Sequence, residues 1–159
     1  MNKNEIMLQM QQNHDAFIKL VSSLNEKEFT YTIYSKWTAG QQAEHIVKAI
    51  KPVKLAFSLP LFVPKLLFGK ANRPSRSYGE LVKKYKDKLA AGGRASAAFI
   101  PPEISFHRQK NITASISSVI ASLNKKIESK TEEELDNYIL PHPLLGKLTY
   151  REMLYFTIH

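Results

Sequence analysis

The chain contains no cysteine among its 159 residues. Disulfide bonds, zinc–thiolate sites and cysteine nucleophiles are therefore excluded from its fold and chemistry. A chain without cysteine is consistent with a reducing compartment, and we expect a cytoplasmic protein.

Long apolar runs are also missing. Residues 1–17 have no apolar core of the kind that a signal peptide needs. The most apolar stretch, residues 55–69, is too short to cross a bilayer and is interrupted by Pro60, Pro64 and Lys65. We therefore expect no transmembrane segment. The hydrophobic fraction of 43% is enough for one core, and the length predicts a single domain over residues 1–159.

Acidic residues are scarce in the middle third of the chain. The whole sequence carries a formal net charge of +9. Residues 51–100 contain eleven Lys or Arg side chains and two Asp or Glu side chains, whereas the segments on either side are balanced. The entire excess of positive charge therefore belongs to one segment.

This basic segment has four interpretations. A nucleic-acid surface would use such charge, but no recognition motif accompanies it, and we expect no specific nucleic-acid binding. A membrane-surface segment would combine Phe62, Leu66, Leu67 and Phe68 with the adjacent lysines. A third interpretation is a mouth that attracts an anionic small-molecule substrate. The fourth is a loop that packs its apolar side on the core while its lysines stay in water.

The hydrophobic pattern predicts an all-α fold. Apolar residues recur at three- and four-residue steps in several segments, and strand signals are weak. Thr38 with Gln41, and Thr149 with Glu152, have the spacing of capping boxes that open helices. Long connections and one extra short helix separate these segments. The predicted helices cover residues 3–24, about 39–57 with a kink or interruption at Pro52, about 78–89, about 112–127, and the segment from Thr149 to the last residue.

Two of the five histidines are candidate metal ligands. His45 lies two turns inside the helix that Thr38 caps, and His159 lies at the end of the helix that Thr149 caps. Facing helices build metal sites from such side chains, and imidazole binds zinc, nickel and iron. His14, His107 and His142 are interpreted as surface or packing residues.

The sequence resembles the DinB-like (YfiT-type) family of four-helix bundles. The resemblance rests on WTAGQQAEHI, RPSRSYGELVKKYKDKLAAG, AFIPP and HPLLGKLTYREMLYFTIH, which occur in this order over more than half of the chain. It implies an up-down-down-up bundle that often forms homodimers. It also implies a divalent metal held by three histidines, one from the second helix and an HxxxH pair from the fourth.

In this resemblance His45 matches the first ligand and His159 matches the first histidine of the pair. The second histidine of the pair would come after the last residue of the sequence. We therefore expect a short or truncated fourth helix and a metal site that is incomplete in this chain. Glu44, His142, a neighbouring subunit or solvent would have to supply a third ligand. Glu44 beside His45 is either a proton-handling group or a solvated carboxylate.

Three hypotheses about function follow. The first is a metal-dependent enzyme, a thiol transferase or hydrolase-like protein that acts on a small molecule. The second is a non-catalytic bundle that binds a partner and uses its histidines only for packing. The third, suggested by charge alone, is a nucleic-acid-associated protein.

Overall fold

A computed structural model of the chain describes residues 1–34, 36–94 and 96–158, and the fold is mostly helical. The predicted ligand His159 lies outside the described residues. In chain order the elements are α1 (Lys3–Ser23), α2 (Glu26–Thr30), α3 (Ala39–Ser58), α4 (Phe62–Phe68), α5 (Tyr78–Ala90), α6 (Gln109–Glu128), α7 (Glu132–Asn137), β1 (Ile139–His142), β2 (Gly146–Thr149) and α8 (Tyr150–Ile158).

The longest helices form where the apolar pattern and the caps agree. Both predicted capping boxes are present. The Gln41 backbone N–H donates to Thr38 Oγ1 at 3.1 Å, and the Glu152 backbone N–H donates to Thr149 Oγ1 at 3.1 Å. Pro52 lies inside α3, which continues past it to Ser58 without interruption.

The core lies where α6 packs along both α1 and α3, with α8 packed on α1 and α5. Apolar residues on the inner face of each helix are buried there. Examples are Ile6 and Met10 of α1, Ile50 of α3 and Ile116 of α6. Within the residues that the structure describes, no helix is long and apolar enough to cross a membrane.

Two short elements depart from the expected connections. The connection between the first two predicted helices, residues 25–37, begins with a short helix, α2, which Asn25 caps. Phe29 of α2 is fully buried and packs against Gly40, where a Cβ atom would come within 2.6 Å of the Phe29 ring. Only glycine therefore fits at the start of α3, because any larger residue would displace this ring.

The second departure is a β-hairpin between α7 and α8. Strands β1 and β2 pair antiparallel, with Ile139 opposite Thr149 and His142 opposite Gly146. Gly146 has a φ of +77°, which suits glycine at the tip of the hairpin. The hairpin directs residues 140–145 towards the helices, and this placement builds part of the candidate site.

Candidate ligand-binding cavity

An open cavity of about 340 Å³ lies between α3, α4, α5, the β-hairpin and α8. This volume is at the lower end of the range typical of small-molecule sites. Its walls are mostly apolar. The lining residues used below are His45, Leu55, Ala56, Leu67, Arg94, Leu140, His142, Met153 and Phe156.

The path of the chain after α3 creates the space. Helix α3 ends at Ser58, and Pro60 follows before the seven-residue helix α4. Pro64 is buried, and Leu61 and Phe68, three and four residues away, are partly buried against the core. One side of α4 is thus held on the protein, but so short a helix leaves the neighbouring volume unfilled.

Positive charge, rather than negative charge, accompanies the apolar walls. Arg94 carries this charge, two histidines also line the cavity, and none of its described lining residues is Asp or Glu. Arg94 is exposed, and one of its Nη atoms donates to the Gly93 carbonyl at 3.0 Å. A ligand that carries an anionic group would therefore meet a guanidinium at the rim and no opposing carboxylate.

His45 is fixed by a backbone contact. Its Nδ1 lies 2.9 Å from the carbonyl oxygen of Phe99, and a carbonyl can only accept a hydrogen bond. Nδ1 therefore carries a proton, and in the neutral ring Nε2 retains its lone pair. The Trp37 ring lies 4.8 Å from the imidazole, centroid to centroid, and limits its rotation. A histidine held in this way is oriented as metal-binding histidines usually are.

His142 is held in the opposite way. Its Nδ1 accepts hydrogen bonds from the backbone N–H groups of Leu144, at 3.2 Å, and Leu145, at 3.1 Å. The proton of the neutral ring is therefore on Nε2. The Phe156 ring packs edge-on against it at 4.2 Å, and burial lowers the pKa of His142 to about 4. The imidazole is neutral at physiological pH.

The sequence predicts His142 to be a surface or packing residue and carries no signal that it lies beside a cavity. The Pro-His-Pro context indicates a loop, and nothing local to it shows that the hairpin turns this residue towards α8. His142 was, however, one of the residues considered as a source of a third ligand. The structure brings His45 and His142 to the walls of the same cavity.

The remaining candidates lie apart from the cavity lining. Glu44 is only 18% exposed, and its carboxylate lies 3.8 Å from the Arg108 guanidinium. His14 is buried, donates through Nδ1 to the Met10 carbonyl at 2.7 Å, and has a pKa lowered by burial. His107 is exposed and lies 3.0 Å from the Ser105 hydroxyl. The interpretation of His14 and His107 as packing and surface residues agrees with these positions.

A complete metal site is not formed by the described residues. In residues 1–34, 36–94 and 96–158, no group of three or more His, Asp or Glu side chains is arranged to hold an ion. His45 is described, whereas His159 is not, so the predicted pair stays a prediction. One oriented imidazole fits a metal, but one ligand does not make a site.

Glu152 has a structural role that its capping motif did not reveal. Its carboxylate is fully buried and accepts two hydrogen bonds from the Arg73 guanidinium, at 2.6 and 2.7 Å. Arg76 adds a backbone N–H at 2.8 Å and a guanidinium contact at 3.1 Å. Burial alone would raise the pKa of Glu152, but these contacts outweigh it and the pKa is lowered. Two arginines of the basic segment thus share one buried carboxylate, which offsets half of their combined charge.

The fold and the cavity together define a mostly helical protein with an open apolar cavity and two oppositely oriented histidines. The chain matches no family model, no curated protein and no solved structure in comparisons with each. The resemblance to the DinB-like family therefore stays a prediction.

Proposed function

We propose that this domain binds a small, largely apolar molecule with an anionic group in the cavity between α3, α4, α5 and the hairpin. The observation that carries the proposal is the cavity itself, with about 340 Å³ of space and apolar walls. Leaving such walls in water is unfavourable, by about 25 cal/mol for each Å² of apolar surface. A ligand that covers them recovers this free energy.

The anionic group follows from the charges around the cavity. Arg94 lies at the rim, and the described lining residues include no carboxylate that would repel an anion. Leu140, Met153 and Leu55 offer no hydrogen bonds from their side chains, so the rest of the ligand is apolar. A medium-chain carboxylate has both properties.

Fluorescence titration with the apolar anion anilinonaphthalene sulfonate, followed by displacement, tests this proposal. We expect decanoate to displace the probe and decanol to compete more weakly. Ala56→Leu adds three carbon atoms beside the cavity and should weaken decanoate binding at least about tenfold, since filled space excludes the chain. Ala121→Leu, at an exposed position of α6, is the matched control.

Arg94→Gln removes the positive charge of the cavity without filling its space. It should weaken decanoate binding and leave decanol binding unchanged, because only the anion uses the guanidinium. Equal affinity of the native chain and Ala56→Leu for decanoate would show that the cavity is not the binding site.

A second candidate function, a metal-dependent thiol transferase or hydrolase, is favoured by the orientation of His45. Its Nδ1–H bond to Phe99 leaves Nε2 as the only ring nitrogen for a divalent ion such as zinc, nickel or iron. A bound ion would supply Lewis-acid chemistry and lower the pKa of a bound water or thiol. His159 would have to add the next ligand. The DinB-like up-down-down-up bundle and the homodimer belong to this candidate.

Calorimetric titration with Zn²⁺ and with Ni²⁺ tests the second candidate. We expect binding that His45→Asn weakens at least about tenfold. Removing a residue that only orients a metal ligand usually costs about 10–100-fold in metal affinity, and removing the ligand itself costs no less. His107→Asn, which changes an exposed histidine, is the control. If neither ion gives a heat of binding, or if the His45 variant binds as tightly as the native chain, the remaining hypothesis is a non-catalytic binding protein.

A further inference from the structure

The outer face of α4 exposes large apolar side chains. Phe62 is 68% exposed and Leu66 is 84% exposed, and four residues of separation place both on one side of the helix. Leu61, Pro64 and Phe68 hold the other side on the core. The exposure is therefore built into the packing of the helix and is not a frayed end.

Two further leucines extend this surface to α3. Leu55 of α3 is 62% exposed and Leu67 of α4 is 63% exposed, and both line the mouth of the same cavity. Leu55, Phe62, Leu66 and Leu67 are together called the α4 patch. Scattered apolar residues on a surface are ordinary, but clusters of this kind mark interaction sites.

The segment of chain that forms the α4 patch carries charge of one sign. No acidic residue occurs in the sequence between Glu44 and Glu80. Lys51, four residues before Leu55, and Lys65, next to Leu66, are exposed, and in the described part of the chain neither forms an ion pair. Arg73 and Arg76 are held by Glu152, whereas Lys51 and Lys65 have no such partner and can meet an anionic surface.

We propose that the α4 patch and its lysines dock this protein on the surface of a bilayer that contains anionic lipids. Leucine and phenylalanine side chains would enter the headgroup–acyl boundary, and the lysines would stay at the level of the phosphates. Helix α4 has seven residues, so the contact is shallow and peripheral. The docking does not require the cavity to hold a ligand.

The residues of the α4 patch and the lysines beside it argue against two other binding partners, a second copy of the chain and nucleic acid. A second copy of the chain, placed patch to patch, would bring identical lysines together, and like charges at an interface oppose association. Nucleic acid would meet one aromatic ring, Phe62, and three leucines, which neither stack on bases nor contact phosphates. An anionic bilayer satisfies the apolar residues and the lysines at the same time.

Co-sedimentation with vesicles tests the proposal. One set of vesicles contains phosphatidylcholine alone, and the other contains phosphatidylcholine and phosphatidylglycerol in equal parts. We expect the native chain to bind the anionic vesicles at least about tenfold more tightly than the neutral ones, with the difference reduced at high salt. Failure to bind the anionic vesicles would overturn the proposal.

Matched variants locate the contact. The double variant Phe62→Ser/Leu66→Ser should lose at least about tenfold in binding to anionic vesicles. The control is Leu8→Ser/Leu20→Ser, because these leucines of α1 are similarly exposed, at 60% and 59%. Thermal melting confirms that each variant is folded. Equal losses in both double variants, or no loss in the first, would overturn the assignment to α4.

A second double variant tests the contribution of the lysines. Lys51→Gln/Lys65→Gln should weaken binding to anionic vesicles and leave binding to neutral vesicles unchanged. The control Lys125→Gln/Lys126→Gln on α6 should leave binding to both kinds of vesicle unchanged. Sedimentation velocity of the native chain and the Phe62/Leu66 variant is measured in parallel. A concentration-dependent dimer that this variant abolishes, without vesicle binding, would show a second copy of the chain as the occupant.

Discussion

The side of the molecule formed by α1 and α6 and the side that contains the cavity use apolar residues differently. On α6, Ile112, Ile116 and Ile120 are at most 1% exposed, because α1 and α3 cover this helix along its length. On the cavity side, Leu55 and Leu67 keep more than half of their surface in water. The same kind of side chain thus builds the core on one side and an open surface on the other.

Helix length accounts for this difference. Helices α1 and α6 have 21 and 20 residues, and their apolar stripes cover each other. Helix α4 has seven residues and cannot cover the end of α3. The uncovered apolar surface is then available to a ligand or a partner, which is why both proposals fall on this side.

The largest expected loss of stability is on the closely packed side, formed by α1 and α6. Ile116→Ala should reduce the free energy of unfolding by about 3–4 kcal/mol, because a fully buried side chain leaves a cavity that the long helices cannot close. Leu67→Ala should cost less than about 1 kcal/mol, since most of its surface is already in water. Urea denaturation of both variants measures the contrast, and similar losses would contradict it.

The next effect concerns the buried carboxylate of Glu152, which holds Arg73 and Arg76. Glu152→Gln should destabilise the fold by about 3 kcal/mol at neutral pH, because two arginines lose their buried carboxylate. Since the folded-state pKa of Glu152 is lowered, its contribution is present above the ordinary carboxyl range and is lost as the pH falls through the folded pKa.

The difference in stability between the native chain and Glu152→Gln should therefore shrink below about pH 4, near the ordinary carboxyl pKa. Denaturation at neutral pH and in acid measures it. A difference that stays constant with pH would show that Glu152 acts through packing alone.

A smaller effect is the pH dependence that His142, one of the two histidines lining the cavity, gives to the stability of the fold. The pKa of His142 is about 4 in the folded chain, below the ordinary histidine value. The unfolded chain binds a proton first as the pH falls below about 6.5, so the native fold should lose about 2 kcal/mol between pH 6.5 and 4. His142→Asn keeps an oxygen acceptor for Leu144 and Leu145 and removes the titration.

The measurement for His142 is the pH dependence of the unfolding free energy in the native chain and in His142→Asn. The variant should have the shallower slope. His107→Asn is the control, because His107 is exposed, and it should keep the native slope. An identical slope in all three proteins would show that His142 is not the titrating group.

The smallest expected change in stability is on the cavity side, at the exposed residue Leu66. Leu66→Ser should change the free energy of unfolding by no more than about 0.5 kcal/mol, because Leu66 is 84% exposed and its loss opens no space in the core. Thermal melting measures it. A loss comparable to that of a core residue would show that the α4 patch stabilises the fold.

Much of the helical architecture was predictable from the sequence. The apolar spacing in α1 and α6 persists over several turns, and the Thr38 box locates the start of α3, so both kinds of local signal agree. Helix α2 and the hairpin were missed, because five residues and two four-residue strands are too short for a periodic signal.

The candidate site was predictable only in part. His45 was recognised because it lies two turns inside a capped helix, whereas His142 and Arg94 carry no local signal of a shared cavity. The pairing of Glu152 with Arg73 and Arg76 was equally hidden, since these residues lie more than 70 positions apart in the chain. Contacts of this kind depend on the path of the backbone and not on neighbouring residues.

Three features follow from the sequence: which segments form long helices, where two of these helices begin, and that positive charge is concentrated in one third of the chain. The fold adds which apolar residues are covered, which arginines share a buried carboxylate, and which nitrogen of each cavity histidine donates or accepts a hydrogen bond. Helix formation depends on residues three or four positions apart, whereas burial and hydrogen-bond partners are set by whichever distant segment comes to lie alongside.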